Sequence, residues 1–107
     1  MSEKDYFYEK KRDLEAIKHF DQKVLEAFRT FDELSQADGE LNRKTKQLIA
    51  VACAHMTRCP YCISGHTKMA LKLGATKKEL AEAITVAAAL SAGAPLAHSR
   101  FALSEDI

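Results

Sequence analysis

Apolar residues recur along this chain at the spacing of amphipathic α-helices rather than of β-strands. The clearest stripe predicts a helix from Phe20 to about Gln36, and a second one predicts a helix over residues 43 to about 57. A third helix is predicted from Pro60 to Gly74, because proline suits a first helical position and glycine suits a helix end. The first stripe consists of Phe20, Val24, Ala27, Phe28, Phe31 and Leu34.

The second half of the chain begins with a capping box, in which Thr76 and Glu79 can each accept a hydrogen bond from the other's backbone. The helix that follows carries no charge between Glu82 and Ala92, which predicts that it is enclosed, most economically by a second copy of the chain. The alternative is that earlier helices of the same chain bury it alone. Gly93-Ala94-Pro95 predicts a break before a last helical segment over 95–103.

The length and composition agree with this helical pattern. A chain of 107 residues is the size of one domain, predicted here over residues 1–107 with its core motifs in 43–92. Its 17 alanines and 11 leucines outnumber its valines, isoleucines and threonines, which total 14, so the composition favours helices over strands. The first twenty residues show only a weak helical period, so a mobile start and a short helix are expected there. The fold class is therefore predicted as all-α with about six helices.

Charge and hydropathy narrow the classes of function. Sixteen Lys and Arg residues against fifteen Asp and Glu residues give a net charge of +1, with no basic stripe for nucleic acid. The first five residues are too polar for a secretory leader, and no apolar run is expected to reach the roughly 20 residues of a membrane span. The protein is therefore predicted to be cytoplasmic, with neither nucleic acid nor membrane as a partner.

The sequence Cys59-Pro60-Tyr61-Cys62 places two thiols three residues apart at a helix start, and His66 follows Cys62 by one turn. The positive end of a helix favours thiolate over thiol, and we expect Cys62 to feel it most directly. A histidine at this position can take or return the thiol proton. Dithiol redox chemistry is thus the favoured interpretation of the pair. A packed pair of cysteines remains possible, as does a zinc site in which Cys53 or His55 completes the ligand set.

The remaining candidates carry weaker signals. Cys53 lies on a mostly apolar helix and is predicted to belong to the core. His55 is either a satisfied core histidine or an accessory functional residue. His98 follows Pro95 and could fold over the cysteine pair as a second accessory residue.

Four segments together resemble the alkylhydroperoxidase D-like proteins of the carboxymuconolactone decarboxylase superfamily. They cover about half of the chain and keep their order and spacing. They are Lys46-Gln47-Leu48-Ile49-Ala50-Val51-Ala52, Cys59-Pro60-Tyr61-Cys62-Ile63-Ser64-Gly65-His66-Thr67, Leu73-Gly74-Ala75-Thr76 and Ala81-Glu82-Ala83-Ile84.

This resemblance implies an all-helical fold that assembles as homotrimers or as homohexamers built from them. It also implies a dithiol peroxidase without cofactor or metal, in which Cys62 attacks the hydroperoxide and becomes a sulfenic acid. Cys59 then condenses with Cys62 to a disulfide, and His66 assists deprotonation. Reduction is implied to come from an external dithiol, such as a lipoyl group or a thioredoxin-like protein.

One position departs from the family's pattern. The family's proton relay usually includes a glutamate twelve residues before the first cysteine, where this chain has Gln47. An amide cannot accept a proton at neutral pH, although it can orient His66 by a hydrogen bond. A slow peroxidase is therefore expected, with a redox-sensing or structural oligomer and a zinc-stabilised module as alternatives. A decarboxylase is less expected, because that branch of the superfamily does not depend on the cysteine pair. Arg58 and Arg100 are the candidate cations for binding its acidic substrate.

Overall fold

A computed structural model describes residues 15–105 of the chain. Within that range the chain forms helices and no strand, which confirms the predicted all-α class. Most of the predicted mobile start, residues 1–14, lies outside the described residues, whereas residues 15–17 are helical. The helices described in full are α1 (Gln22–Ser35), α2 (Arg43–Thr57), α3 (Pro60–Lys72), α4 (Lys77–His98) and α5 (Arg100–Leu103).

The chain divides in sequence into two compact units between Lys46 and Gln47. The first unit contains α1, whose N-cap Asp21 accepts hydrogen bonds from the backbone N–H groups of Lys23 and Val24. The prediction of a single domain over residues 1–107 stays a prediction.

The second unit has a small apolar core formed by α2, α3 and the first turn of α4. Val51 on α2 and Ala70 on α3 have no exposed surface, and Leu48 packs against the same cluster. The other members of the cluster are Ala75 and Leu80. Because Gln47 precedes Val51 by one turn, the face of α2 that enters this core also turns Gln47 inward.

The longest helix, α4, begins as predicted and ends later than predicted. Its N-cap Thr76 and Glu79 form the expected capping box, at 3.1 Å and 2.9 Å. The predicted break at Gly93-Ala94-Pro95 is wrong, since the helix continues to His98 and only α5 follows it. Proline removes one backbone hydrogen bond and strains one turn. Alanine and leucine residues on both sides of Pro95 favour the helix and maintain it across that local defect.

Apolar surface remains exposed along α4 and α1. Within α4, Leu80 and Ala87 are buried, while Leu90 is 58% exposed, so residues 15–105 leave apolar surface of this helix uncovered. The expectation that no segment is long and apolar enough to cross a membrane is also wrong, because residues 77–103 meet both criteria. Protein-covered helices meet the same criteria. A second copy of the chain as the cover for α4 stays a prediction.

Candidate active site

The candidate site is built at the N-terminus of α3. Pro60 occupies the first turn, where its missing N–H has no intrahelical partner to lose, and Cys59 is the N-cap in an extended conformation. In that conformation the Cys59 side chain turns back over the helix end, and its Sγ accepts a hydrogen bond from the backbone N–H of Cys62 at 3.2 Å. A cysteine therefore takes the place that serine, threonine or aspartate usually fills.

The residue before this cap has a left-handed backbone. Arg58 adopts φ 58°, and the N–H of Cys59 donates to the carbonyl of Ala54 at 3.1 Å, closing the C-terminus of α2. Glycine is the usual occupant of such a position, because a side chain there costs roughly 1–2 kcal/mol. The sharp reversal at Arg58 delivers Cys59 directly to the start of α3. Nothing in the sequence signalled it, since arginine has no preference for this conformation.

The two sulfurs of the pair lie 2.8 Å apart, and both cysteines are free thiols with half-buried side chains. The expectation that the helix end acts mainly on Cys62 is wrong. The N–H of Cys62 points at Cys59 Sγ, because Cys59 is the N-cap and Cys62 supplies the donor. The adjacency of Cys59 to Pro60 in the sequence was the signal for this arrangement, since proline marks the first helical residue.

The same geometry sets the charge of the pair. Contact with the Cys62 side chain, then the Cys62 N–H, lowers the pKa of the Cys59 thiol from its ordinary value, against the opposing effect of burial. In the hydrogen bond between the two sulfurs, either thiol can be the donor. Because the backbone donor points at Cys59, a thiolate that forms in the pair is stabilised on Cys59.

Gln47 and His66 form a second hydrogen-bonded pair among the candidate residues. The Nδ1–H of His66 donates to Gln47 Oε1 at 2.7 Å, and Gln47 is only 2% exposed. Since a carbonyl oxygen only accepts, this bond places the imidazole hydrogen on Nδ1 and leaves the lone pair on Nε2. His66 lies one turn after Cys62 on α3, so the two side chains share a face of the helix. The structure therefore contains the hydrogen bond by which Gln47 can orient His66.

The accessory candidates make contacts of their own. His55 is half-buried, and its Nδ1 bonds to the carbonyl of Val51, one turn back on α2. His98 is exposed, and its ring lies 5.9 Å from that of Phe101. Neither contact involves a residue of the site, so an accessory role for either histidine stays a prediction. The prediction that Cys53 belongs to the core is wrong for this chain, because Cys53 is exposed on α2.

Residues 15–105 contain no group of three or more His, Cys, Asp or Glu side chains placed to hold a metal ion. A tetrahedral zinc site needs four such ligands. Cys59 and Cys62 are together, but neither Cys53 nor His55 joins them as a third ligand in a metal-binding group. The geometry of the described chain therefore gives the zinc alternative no support.

Comparison with known proteins yields consistent matches. Residues 22–105 match the sequence profile of the Carboxymuconolactone decarboxylase family. A protein of Paracoccus denitrificans named "Uncharacterized protein 4 in cox locus" is 52% identical over 81 residues, which cover 76% of this chain and 73% of that protein. A crystal structure from Methanobacterium thermoautotrophicum is 38% identical with a TM-score of 0.72, covering 77% of this chain and 92% of that one. A carboxymuconolactone decarboxylase family protein from Legionella pneumophila is 34% identical with a TM-score of 0.60, covering 80% of each chain.

Proposed function

The chain belongs to the carboxymuconolactone decarboxylase family, and we propose that it is a dithiol peroxidase that reduces hydroperoxides with Cys59 and Cys62. The observation that carries this proposal is the contact of two free thiols, 2.8 Å apart, at the start of α3. Both sulfurs are close enough to form a disulfide after a small rotation of their side chains. The resemblance of the surrounding motifs to alkylhydroperoxidase D-like proteins supports the same chemistry.

In the first step His66 takes the proton of Cys62 through Nε2, and the Cys62 sulfur attacks the terminal oxygen of R–O–O–H. The O–O bond breaks, Cys62 becomes a sulfenic acid, and the alkoxide leaves as R–OH with the proton from His66. In the second step the Cys59 thiolate attacks the Cys62 sulfur, and hydroxide leaves as water after taking a proton from solvent. The hydrogen bond from the Cys62 N–H stabilises a thiolate on Cys59, which supports this second role.

Gln47 is proposed as a positioning residue for the first step. Its hydrogen bond keeps the lone pair of His66 on Nε2, which is the form that can accept a proton. A glutamate at this position would in addition stabilise the imidazolium that forms in the step. General-base assistance is worth about 10²–10⁴-fold, so the amide is expected to leave a slow peroxidase.

The external reductant is proposed to be a dithiol, either a lipoyl group or a thioredoxin-like protein, and the site of action the cytoplasm, where thiols are kept reduced. Assembly into homotrimers or homohexamers is proposed on the exposed apolar surface of α4, which has Val86, Leu90 and Leu96 at 57%, 58% and 77% exposure.

A redox-sensing role is the second candidate, and Gln47 is the observation that favours it. With an amide buried where a relay carboxylate is expected, the disulfide can form without efficient turnover. The two candidates differ in the rate of peroxide consumption rather than in the bond that forms.

The decisive test measures hydroperoxide consumption with dihydrolipoamide as the reductant. We expect turnover by the wild-type protein and its loss in Cys62→Ser. Cys53→Ser is the matched control, because Cys53 is an exposed thiol on α2 outside the pair. Equal consumption by wild type and Cys62→Ser contradicts the peroxidase. A reversible disulfide with background consumption favours the redox-sensing candidate.

A further inference from the structure

The oxidised pair can be reopened at either sulfur. Attack by a thiolate on one sulfur of a disulfide expels the other sulfur as a thiolate, and the better stabilised thiolate leaves faster. The direction of reduction therefore depends on which of the two cysteines is better placed to carry the negative charge.

The N-terminus of α3 stabilises that charge on Cys59. Its Sγ accepts the backbone N–H of Cys62, and the first turn of α3 contains no acidic residue to neutralise the positive helix end. The Cys62 side chain is the largest cause of the lowered pKa of the Cys59 thiol, and this N–H is the next. Only the N–H can act when Cys59 leaves, because the sulfur of Cys62 is then bonded to the reductant. Cys62 lies inside the first turn and supplies that N–H from its backbone.

On this geometry, and resting on the proposed function, we propose that the external dithiol attacks the sulfur of Cys62 and that Cys59 leaves as the thiolate. The Cys59–Cys62 bond breaks, its electron pair goes to Cys59 Sγ, and the reductant is held in a mixed disulfide on Cys62. The second thiolate of the reductant then attacks the reductant's own bonded sulfur. Cys62 is expelled and takes up a proton, and the reductant departs as a disulfide with two electrons fewer.

Cys62 is then the sulfur that exchanges with both oxidant and reductant. Cys59 resolves the sulfenic acid in one half of the cycle and leaves in the other half. Its hydrogen bond from the Cys62 N–H serves both steps, because the same anion is the attacking group in the first and the leaving group in the second.

Trapping of the mixed disulfide tests the direction of attack. Cys53→Ser protein is oxidised with diamide, treated with excess 2-mercaptoethanol and quenched at early times with N-ethylmaleimide. Trypsin cleaves after Arg58 and Lys68, so both cysteines lie on one peptide, and tandem mass spectrometry assigns each adduct. We expect a several-fold excess of the isomer with mercaptoethanol on Cys62 and maleimide on Cys59. Equal amounts, or an excess of the reverse isomer, overturn the proposal.

Alkylation of the reduced protein tests the cause. With limiting iodoacetamide, we expect Cys59 to be modified several-fold faster than Cys62 as the pH falls below the ordinary thiol range, because the lowered pKa keeps Cys59 as thiolate. Faster modification of Cys62 throughout overturns the proposal. Since diamide forms the disulfide without peroxide, both experiments remain informative when peroxide consumption is absent, which separates failure of this proposal from failure of the peroxidase.

Discussion

The two helix junctions of the second unit are built with the same backbone devices and different residues. Between α3 and α4, Gly74 adopts φ 97° and the N–H of Ala75 donates to the carbonyl of Ala70 at 2.9 Å. Thr76 then caps α4 by accepting the N–H of Glu79 at 3.1 Å. These are the residues that stability alone favours, a glycine where φ is positive and a threonine with a capping box.

Between α2 and α3 the corresponding positions are Arg58 and Cys59. The 3.1 Å bond from Cys59 N–H to Ala54 repeats the helix-closing bond, and the 3.2 Å bond from Cys62 N–H to Cys59 Sγ repeats the cap. Sulfur is a weak acceptor, and arginine is unfavourable at positive φ, so both choices cost stability.

The two junctions also differ in the group that lies at the positive helix end. At the start of α4 the carboxylate of Glu79 lies near the positive helix end. The first turn of α3 has no acidic residue, and Cys59 Sγ accepts the backbone N–H of Cys62 there. Because the cap is itself one sulfur of the pair, the stability of the helix end is coupled to the redox state of the pair.

The largest expected effect comes from making the two caps alike. Cys59→Thr gives α3 the cap of α4, and we expect peroxide turnover and disulfide formation to be lost, because Cys62 has no partner thiol. The reduced protein should become more stable by up to about 1 kcal/mol, since threonine is the stronger cap. Consumption assays and thermal unfolding measure the two effects. Thr76→Cys is the matched control, because it places a cysteine cap on α4, and its turnover should not exceed that of the wild type. Turnover that survives in Cys59→Thr contradicts the role of Cys59 as the partner thiol of Cys62.

A second prediction concerns the buried Gln47–His66 pair. Gln47→Glu should raise the rate of sulfenic acid formation at Cys62 by at least about tenfold, because a carboxylate stabilises the imidazolium that the step creates. Stopped-flow reaction with an organic hydroperoxide measures this rate. Gln22→Glu adds the same charge on exposed α1 and serves as the control. An unchanged rate in Gln47→Glu shows that the proton of Cys62 does not travel through His66.

The ordinary cap provides the third prediction, which affects stability and leaves chemistry alone. Thr76→Ala removes the side-chain acceptor for the Glu79 N–H and should lower the free energy of unfolding by about 0.5–2 kcal/mol. The rate of Cys62 oxidation should not change. Urea unfolding and stopped-flow kinetics on the same protein measure both. A large loss of rate would mean that the two junctions are not independent.

Most of the fold could be predicted from local signals. The stripe that begins at Phe20 and the capping box at Thr76 depend on residues within one or two turns, so both ends of α1 and the start of α4 agree with the prediction to within a few residues. The predicted end of α4 near Pro95 was wrong, because the stability that proline costs a helix is local and can be outweighed by neighbouring residues that favour the helix. The exposed apolar surface of α4 shows that a pattern predicts burial without saying what covers it.

The membership of the site stays a prediction, whereas the structure shows two contacts among the predicted residues, Cys59 with Cys62 and Gln47 with His66. Cys59, Cys62 and His66 follow from their spacing, and Gln47 from the resemblance, and the structure joins Gln47 to His66 by a hydrogen bond. Which sulfur receives the helix N–H depends on a one-residue choice of N-cap, and spacing alone does not decide it. The left-handed Arg58 has no sequence signature at all.

The smallest expected effect concerns the residue with a left-handed backbone at each junction, Arg58 and Gly74. Arg58→Gly should raise the free energy of unfolding by less than about 1 kcal/mol, because relief of the left-handed conformation is partly offset by the greater entropy of glycine in the unfolded chain. Gly74→Ala, the converse change, should lower it by roughly 1–2 kcal/mol, although nothing lies within 4 Å of the added methyl group. Thermal unfolding of the reduced proteins measures both. If Arg58→Gly instead destabilises the protein, the arginine side chain makes a stabilising contribution that exceeds the backbone cost, and the two junctions differ in more than their caps.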